Sequence, residues 1–166
     1  LTTESSLMRS LNTVEKNWVL FQDGANNMKC IYSWYPLIVG DLQNGEFVQT
    51  HHNGYNGAMK FMRGSTNGVE FDDEIWFIGH VVSYEDRRYY YHCFIVLDKH
   101  TYEIKRYSPF FTFDKEKVEY TLGFVMNHNM DYMLVGYSTY DKTTNFKRVS
   151  LDHINDLFRL NGFEIE

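Results

Sequence analysis

A chain of 166 residues, 43% hydrophobic and 17% aromatic with only two prolines, has the length and composition of one globular domain with its own core. A formal charge of -6 argues against a general affinity for nucleic-acid phosphates or anionic membranes, both of which need a basic surface. Cys30 and Cys93 stand alone without a CxxC spacing, which excludes a disulfide scaffold and slightly favours a reduced, cytosolic setting. No run approaches the ~18 apolar residues of a membrane span, and no signal peptide is visible. A chain opening on Leu1 instead of Met is expected to be a fragment or a processed product.

Residues 1–13 are polar and read as a lead-in segment, with the folded domain expected over 14–166. Val14 to Phe21 is a short strand candidate, and Gln22 to Asn27 (QDGANN) is a turn by composition. Met28 to Val39 reads as one strand, with Pro36 marking an edge position or a bulge. Gly40 to Gly45 turns, Glu46 to His52 is a weaker strand, and Asn53 to Gly57 turns again. Met59 to Arg63 and Asn67 to Phe71 are short strands around Gly64-Ser65.

The strongest signal follows. Glu74 to Val82 alternates with period two: Ile75, Phe77 and Val81 on one face, Trp76, Ile78 and His80 on the other. Ser83 to Arg88 is a polar connection. Tyr89 to Leu97 is almost wholly aromatic or β-branched, as suits a strand covered on both faces. Tyr102 to Tyr107, Val118 to Met126, Tyr132 to Ser138 and Asn145 to Val149 are further strands, with a turn at Asn127 to Asn129. Ser150 to Leu160 is the one helix candidate, because Leu151, Ile154 and Leu157/Phe158 recur at helical spacing and Ser150 can cap its start. About eleven short strands with turns roughly every 8–12 residues make an all-β domain, a sandwich or a propeller.

Several chemistries find no motif. His51 and His52 are neighbours in a strand and point to opposite faces, which makes a poor metal site. There is no HExxH, no GxSxG elbow and no GxxxxGK[ST] loop, so zinc-protease, serine-hydrolase and P-loop chemistry lack support.

The order EKNW, YSWYPL, RGST, DEIWFIGH, FIVLD, SPFF, VEYTLGFV and GYSTYD resembles, over roughly Glu15 to Phe158, the five-bladed β-propellers of the β-mannoside phosphorylase and hydrolase family and related propeller domains associated with glycosyltransferases. The family's motifs are matched at Gly79-His80, Val96-Leu97-Asp98, Ser108-Pro109, Glu119 and Gly136 to Asp141, although its Tyr-His-Gly is here Ile78-Gly79-His80-Val81. The resemblance implies an all-β propeller of about three blades, either the C-terminal part of a larger five-bladed whole or a shortened relative, followed by the helix at 150–160. It implies a glycan or sugar phosphate as ligand, and the rest of a larger propeller or a fused glycosyltransferase domain as partner. Neither a cofactor nor a metal is expected. The family's general acid falls in a blade N-terminal to the matched residues.

The candidate site residues each carry two readings. His80 is a core histidine bonded to a backbone carbonyl, or a ligand for an anion or sugar hydroxyl at the propeller axis. Arg63 is a solvated turn residue, or an axial cation whose planar guanidinium binds phosphate, sulfate or a sugar ring oxygen. Lys16 is a surface lysine, or the third member of a cationic cluster with Arg63 and His80, since a family lysine near this point serves the phosphate site. Such a cluster would let inorganic phosphate act as nucleophile with a single enzyme acid. Trp34, beside Tyr35 and Pro36, is interblade packing or a stacking platform for a sugar ring. Asp141 is a turn former or an acceptor at the axial cleft. Glu119 is expected to pair with a lysine or arginine across blades. Two function classes follow: a mannoside-directed phosphorylase, hydrolase or transferase domain, and a non-catalytic glycan-binding or protein-interaction segment. A carboxylate poised over the axial pocket separates them.

Overall fold

The computed structural model describes residues 16–84 and 88–165. The lead-in segment at 1–13, the first two residues of the strand expected from Val14, and the centre of the polar connection at 85–87 lie outside the described residues. The domain is all-β with one helix: three antiparallel sheets, then a C-terminal α-helix.

The first sheet is a four-stranded meander of β1 (Val19–Gln22), β2 (Met28–Trp34), β3 (Leu37–Gln43) and β4 (Glu46–His52). The single strand expected over Met28 to Val39 is instead a hairpin. It reverses at Tyr35-Pro36, whose peptide is cis, so Pro36 occupies the turn and not an edge or bulge. A proline has no N–H to give a ladder, and the turn asks for none. The turn expected from Gly40 narrows to Asn44-Gly45, with φ of 53° and 84°, the pair of positive values a two-residue hairpin loop needs.

The second sheet sets β5 (Arg63–Gly64) and β6 (Val69–Phe71) end to end along β7 (Glu74–Ser83), followed by β8 (Tyr89–Asp98) and β9 (Ile104–Tyr107). The strand expected from Met59 to Arg63 is mostly a turn, beginning at the end of a 3-10 helix, Gly57–Met59, capped by the Asn56 side chain; only Arg63 and Gly64 extend. The third sheet is β10 (Glu119–Val125), β11 (Tyr132–Thr139) and β12 (Asn145–Ser150). The helix α1 (Leu151–Leu160) follows at once, with the Ser150 hydroxyl accepting from the His153 N–H at 3.1 Å as expected of an N-cap. It ends in a Schellman turn at Gly162, φ 86°, with Phe163 N–H bonded to the Phe158 carbonyl.

The second sheet lies between the other two, which explains why β8 is apolar on both faces. Ile75 and Phe77 of β7 with Cys93, Ile95 and Leu97 of β8 meet Val19, Phe21, Ile31, Trp34 and Val39 of the first sheet. On the opposite face Trp76, Ile78, Phe94 and Val96 meet Phe124, Met133 and Val135 of the third sheet, with Ile154 and Phe158 of α1. Each fully buried side chain of this kind contributes about 1.5–3 kcal/mol, so the two seams carry the fold. The alternation read from Glu74 to Val82 therefore separates two interfaces, and His80 belongs to the second.

Candidate functional site

His80 and Arg63 are register partners across β7 and β5, so their side chains share a face. The adjoining Gly64 makes that geometry attainable. A Cβ there would lie 2.3 Å from Val19 Cγ1 and 2.6 Å from the Asn17 carbonyl oxygen, so only glycine lets β5 lie against the start of the first sheet. That contact brings the chain entering β1 to the Arg63 strand, and Lys16, exposed, is the residue before Asn17.

His80 is 2% exposed, and its Nδ1 is 2.7 Å from the Ser65 hydroxyl. A side-chain hydroxyl, not a backbone carbonyl, thus satisfies it. The rings of Tyr90 and Tyr120 each lie 5.5 Å from its imidazole. Burial, and next the Arg63 charge, push its pKa down to about 4, so His80 is neutral at pH 7.

Opposite His80 on β8 stands His92, fully buried, with Nδ1 3.1 Å from the Thr121 hydroxyl. Burial, then its neighbour His80, lower its pKa to about 3. The 3.8 Å between His92 Nε2 and Glu119 Oε2 is therefore no ion pair, and Nε2 has no hydrogen-bond partner. Glu119 does not meet the expected lysine or arginine. Its carboxyl oxygens accept backbone N–H bonds from Phe113 at 2.7 Å, Asp114 at 2.8 Å and Glu116 at 2.9 Å, and so fix the loop leading into β10.

Arg63 is half-buried and makes no hydrogen bond or ion pair among the described residues. It lines an open cavity of about 510 Å³ with Lys60, Phe61, Met62, Val82 and Tyr84. Phe61 and Tyr84 are largely exposed, and the Lys60 ammonium sits 5.4 Å from the Phe61 ring centroid. No carboxylate lines the cavity among the described residues. Two cations beside exposed aromatic faces suit an anionic or polyhydroxylated ligand with an apolar face.

The remaining candidates lie apart from this constellation. Trp34 is 4% exposed in the first seam, with its ring edge-on to Phe77 at 5.4 Å, so packing accounts for it; Tyr35 beside it is at the surface. Asp141 is exposed at the tip of the β11–β12 hairpin. It and Tyr140 take φ of 55° and 53°, and Lys142 N–H closes the turn on the Thr139 carbonyl. The turn-forming reading describes that position. His51 and His52 do diverge, one ring against Tyr102 and the other toward Tyr55.

Ser65, Tyr90, His92 and Tyr120 around His80, and Lys60, Phe61 and Tyr84 beside Arg63, were not singled out from sequence. Ser65 alone carried a local signal, through its position in RGST. The others come from four separate segments, Lys60-Phe61, Tyr84, Tyr90 to His92 and Tyr120, brought together by sheet register and by packing of the third sheet on the second. Comparison of the chain with protein-family models and with curated protein sequences gives no match.

Proposed function

We propose that the three sheets are blades of a propeller of the five-bladed type and that the chain recognises mannoside-like glycans or their phosphates at the Arg63 end of β7. The supporting observation is a half-buried arginine with no side-chain partner among the described residues, backed by a neutral histidine and open to a cavity with aromatic walls. An arginine held this way keeps donors that a ligand entering the cavity can engage. In this reading Arg63 meets the ligand and Lys60 adds positive charge, while Lys16 does not line the cavity. His80 is too enclosed to be the main contact; it fixes the strand behind Arg63 without adding a competing charge. The packing of sheet on sheet on sheet, with the second between the other two, agrees with blades stacked around an axis.

The reading is one of binding more than catalysis. Cleaving a glycosidic bond needs a proton delivered to the leaving oxygen, worth about 10²–10⁴-fold, and the cavity has no acid among the described residues. Cations that hold substrate and transition state equally give affinity without rate. Calorimetric titration with methyl mannoside, mannose 1-phosphate and inorganic phosphate, beside a sugar-phosphate release screen, tests this. Weak binding without turnover is expected. Failure of all three ligands to bind a folded protein would overturn the reading in favour of a protein-interaction role. Robust turnover that a carboxylate substitution in this chain abolishes would overturn the missing-acid argument.

A further inference from the structure

The three sheets differ in width. The first has four strands, and the second also spans four positions outward from β5 and β6, whereas the third stops at β12. β12 pairs with β11 along Asn145–Ser150 and has no other strand partner among the described residues, so its outer edge is free. Free edges are templates for a further strand.

Beside that edge lies a second cavity, about 510 Å³, which shares no lining residue with the Arg63 cavity. Its floor is apolar. Phe111 stacks on Phe94 at 4.6 Å and meets Phe113 edge-on at 5.4 Å, with Val149 and Leu157 opposite. Phe94 is buried in the seam between the second and third sheets, whereas Phe111, Phe113, Val149 and Leu157 are only partly covered by it. Its polar rim carries Lys147, Arg148 and His153, and no carboxylate lines it among the described residues, although the chain as a whole bears -6. Lys147 is engaged by the Phe113 carbonyl and Asp114. Arg148 has only the Tyr132 ring, 4.9 Å beneath it, and makes no ion pair among the described residues.

We infer that β12 and this cavity accept an extended peptide of alternating acidic and apolar residues as a fourth strand of the third sheet. In a sheet, neighbours across strands share faces. Apolar side chains of the added strand would therefore lie on the side of Lys147 and Val149, which line the cavity. Its acidic side chains would lie on the other side, where the Arg148 side chain crosses Tyr132 on the outer face although the residue borders the cavity. Charge also selects against a second copy of this chain. Antiparallel self-pairing centred on β12 sets Lys147 or Arg148 opposite Lys147 or Arg148, and like charges directly opposite are destabilising.

The test uses the peptide acetyl-Glu-Val-Glu-Phe-Glu-amide with a fluorescent tag, followed by anisotropy, and amide hydrogen exchange across β12. Expected are binding below about 1 mM and slowed exchange in Asn145–Ser150. A loss of about tenfold is expected on Arg148→Glu or on N-methylating one edge-facing amide of the peptide. Arg148 is exposed, so the variant keeps its fold. No binding near 1 mM would overturn the inference. So would binding indifferent to N-methylation, which would mean a sticky cavity and no added strand. Sedimentation showing a dimer that the peptide does not dissociate would give the edge to a second copy and would equally overturn it.

Discussion

Two arginines sit at opposite ends of one face of β7 and are handled in opposite ways. Arg106 lies at the Glu74 end. Its guanidinium donates to both Glu74 oxygens, at 2.5 and 2.7 Å, and is 5.3 Å from the Trp76 ring and 5.1 Å from the Phe158 ring. Burial opposes ionisation of Glu74, but the bonds to Arg106 and Lys105 outweigh it and hold that carboxyl below its ordinary range. Arg63 lies at the His80 end with a cavity before it and, among the described residues, no acid and no side-chain hydrogen bond. Same residue type, same face of one sheet, on β9 and β5: one is a rivet and the other, among the described residues, an open donor array. The difference teaches that charge in this domain is structural where a carboxylate closes it and available where none does.

The comparison breaks first at the rivet. Arg106→Ala removes two charge-assisted bonds to Glu74 and the packing of the guanidinium on Trp76 and Phe158, leaving Glu74 with Lys105 and the Trp76 Nε1, and a loss of about 3–5 kcal/mol is expected by urea denaturation. A change under about 1 kcal/mol would mean that Glu74 rehydrates freely and the bidentate pair does little. Next is Glu119→Ala, which removes the acceptor for three backbone N–H groups. About 2–4 kcal/mol should be lost, with faster hydrogen exchange at Phe113, Asp114 and Glu116.

The His80–His92 pair sharpens the contrast through pH. Both rings have folded-state pKa values below the ordinary 6.5, at about 4 and about 3. The unfolded chain therefore takes up protons that the fold refuses. The stability these neutral rings contribute is fully present above pH 6.5 and falls as pH drops from there toward 4 and 3. The thermal midpoint should decline across that window, and His80→Gln should flatten the decline. A midpoint constant from pH 7 to 5 would contradict the buried, neutral assignment. The smallest expected effect is the most telling: Arg63→Ala should change stability by no more than about 0.5 kcal/mol, since it breaks no bond. A loss comparable to that of Arg106→Ala would reveal a protein partner and remove the case for a ligand.

Much of this was readable beforehand, and the failures are instructive. The two faces of β7, the capped helix at Ser150 and the all-β class follow from local alternation and capping, which need no long-range information. The register of the central hairpin does. Pairing the expected strand ends Val82 and Tyr89 sets His80 opposite Tyr91, whereas the structure pairs Ser83 with Tyr89 and His80 with His92. One residue of slip turns the partner to the other face, so the double histidine could not be seen. The split of Met28 to Val39 at Pro36 was missed because an apolar run of that length looks the same folded or straight. Arg63 was found through RGST, but its lack of a partner depends on where every carboxylate goes.

The central claim is that Arg63 is free for a ligand and that His80 stands directly behind it. Nitrogen-15 resonances of the arginine Nε and histidine ring groups, followed at pH 7 while mannose 1-phosphate is added, test it most directly. The account predicts that Arg63 Nε moves most, that the His80 ring moves with it while Arg106 stays still, and that both responses vanish in Arg63→Ala. Saturable binding that leaves Arg63 and His80 unmoved, or that survives Arg63→Ala unchanged, would contradict it.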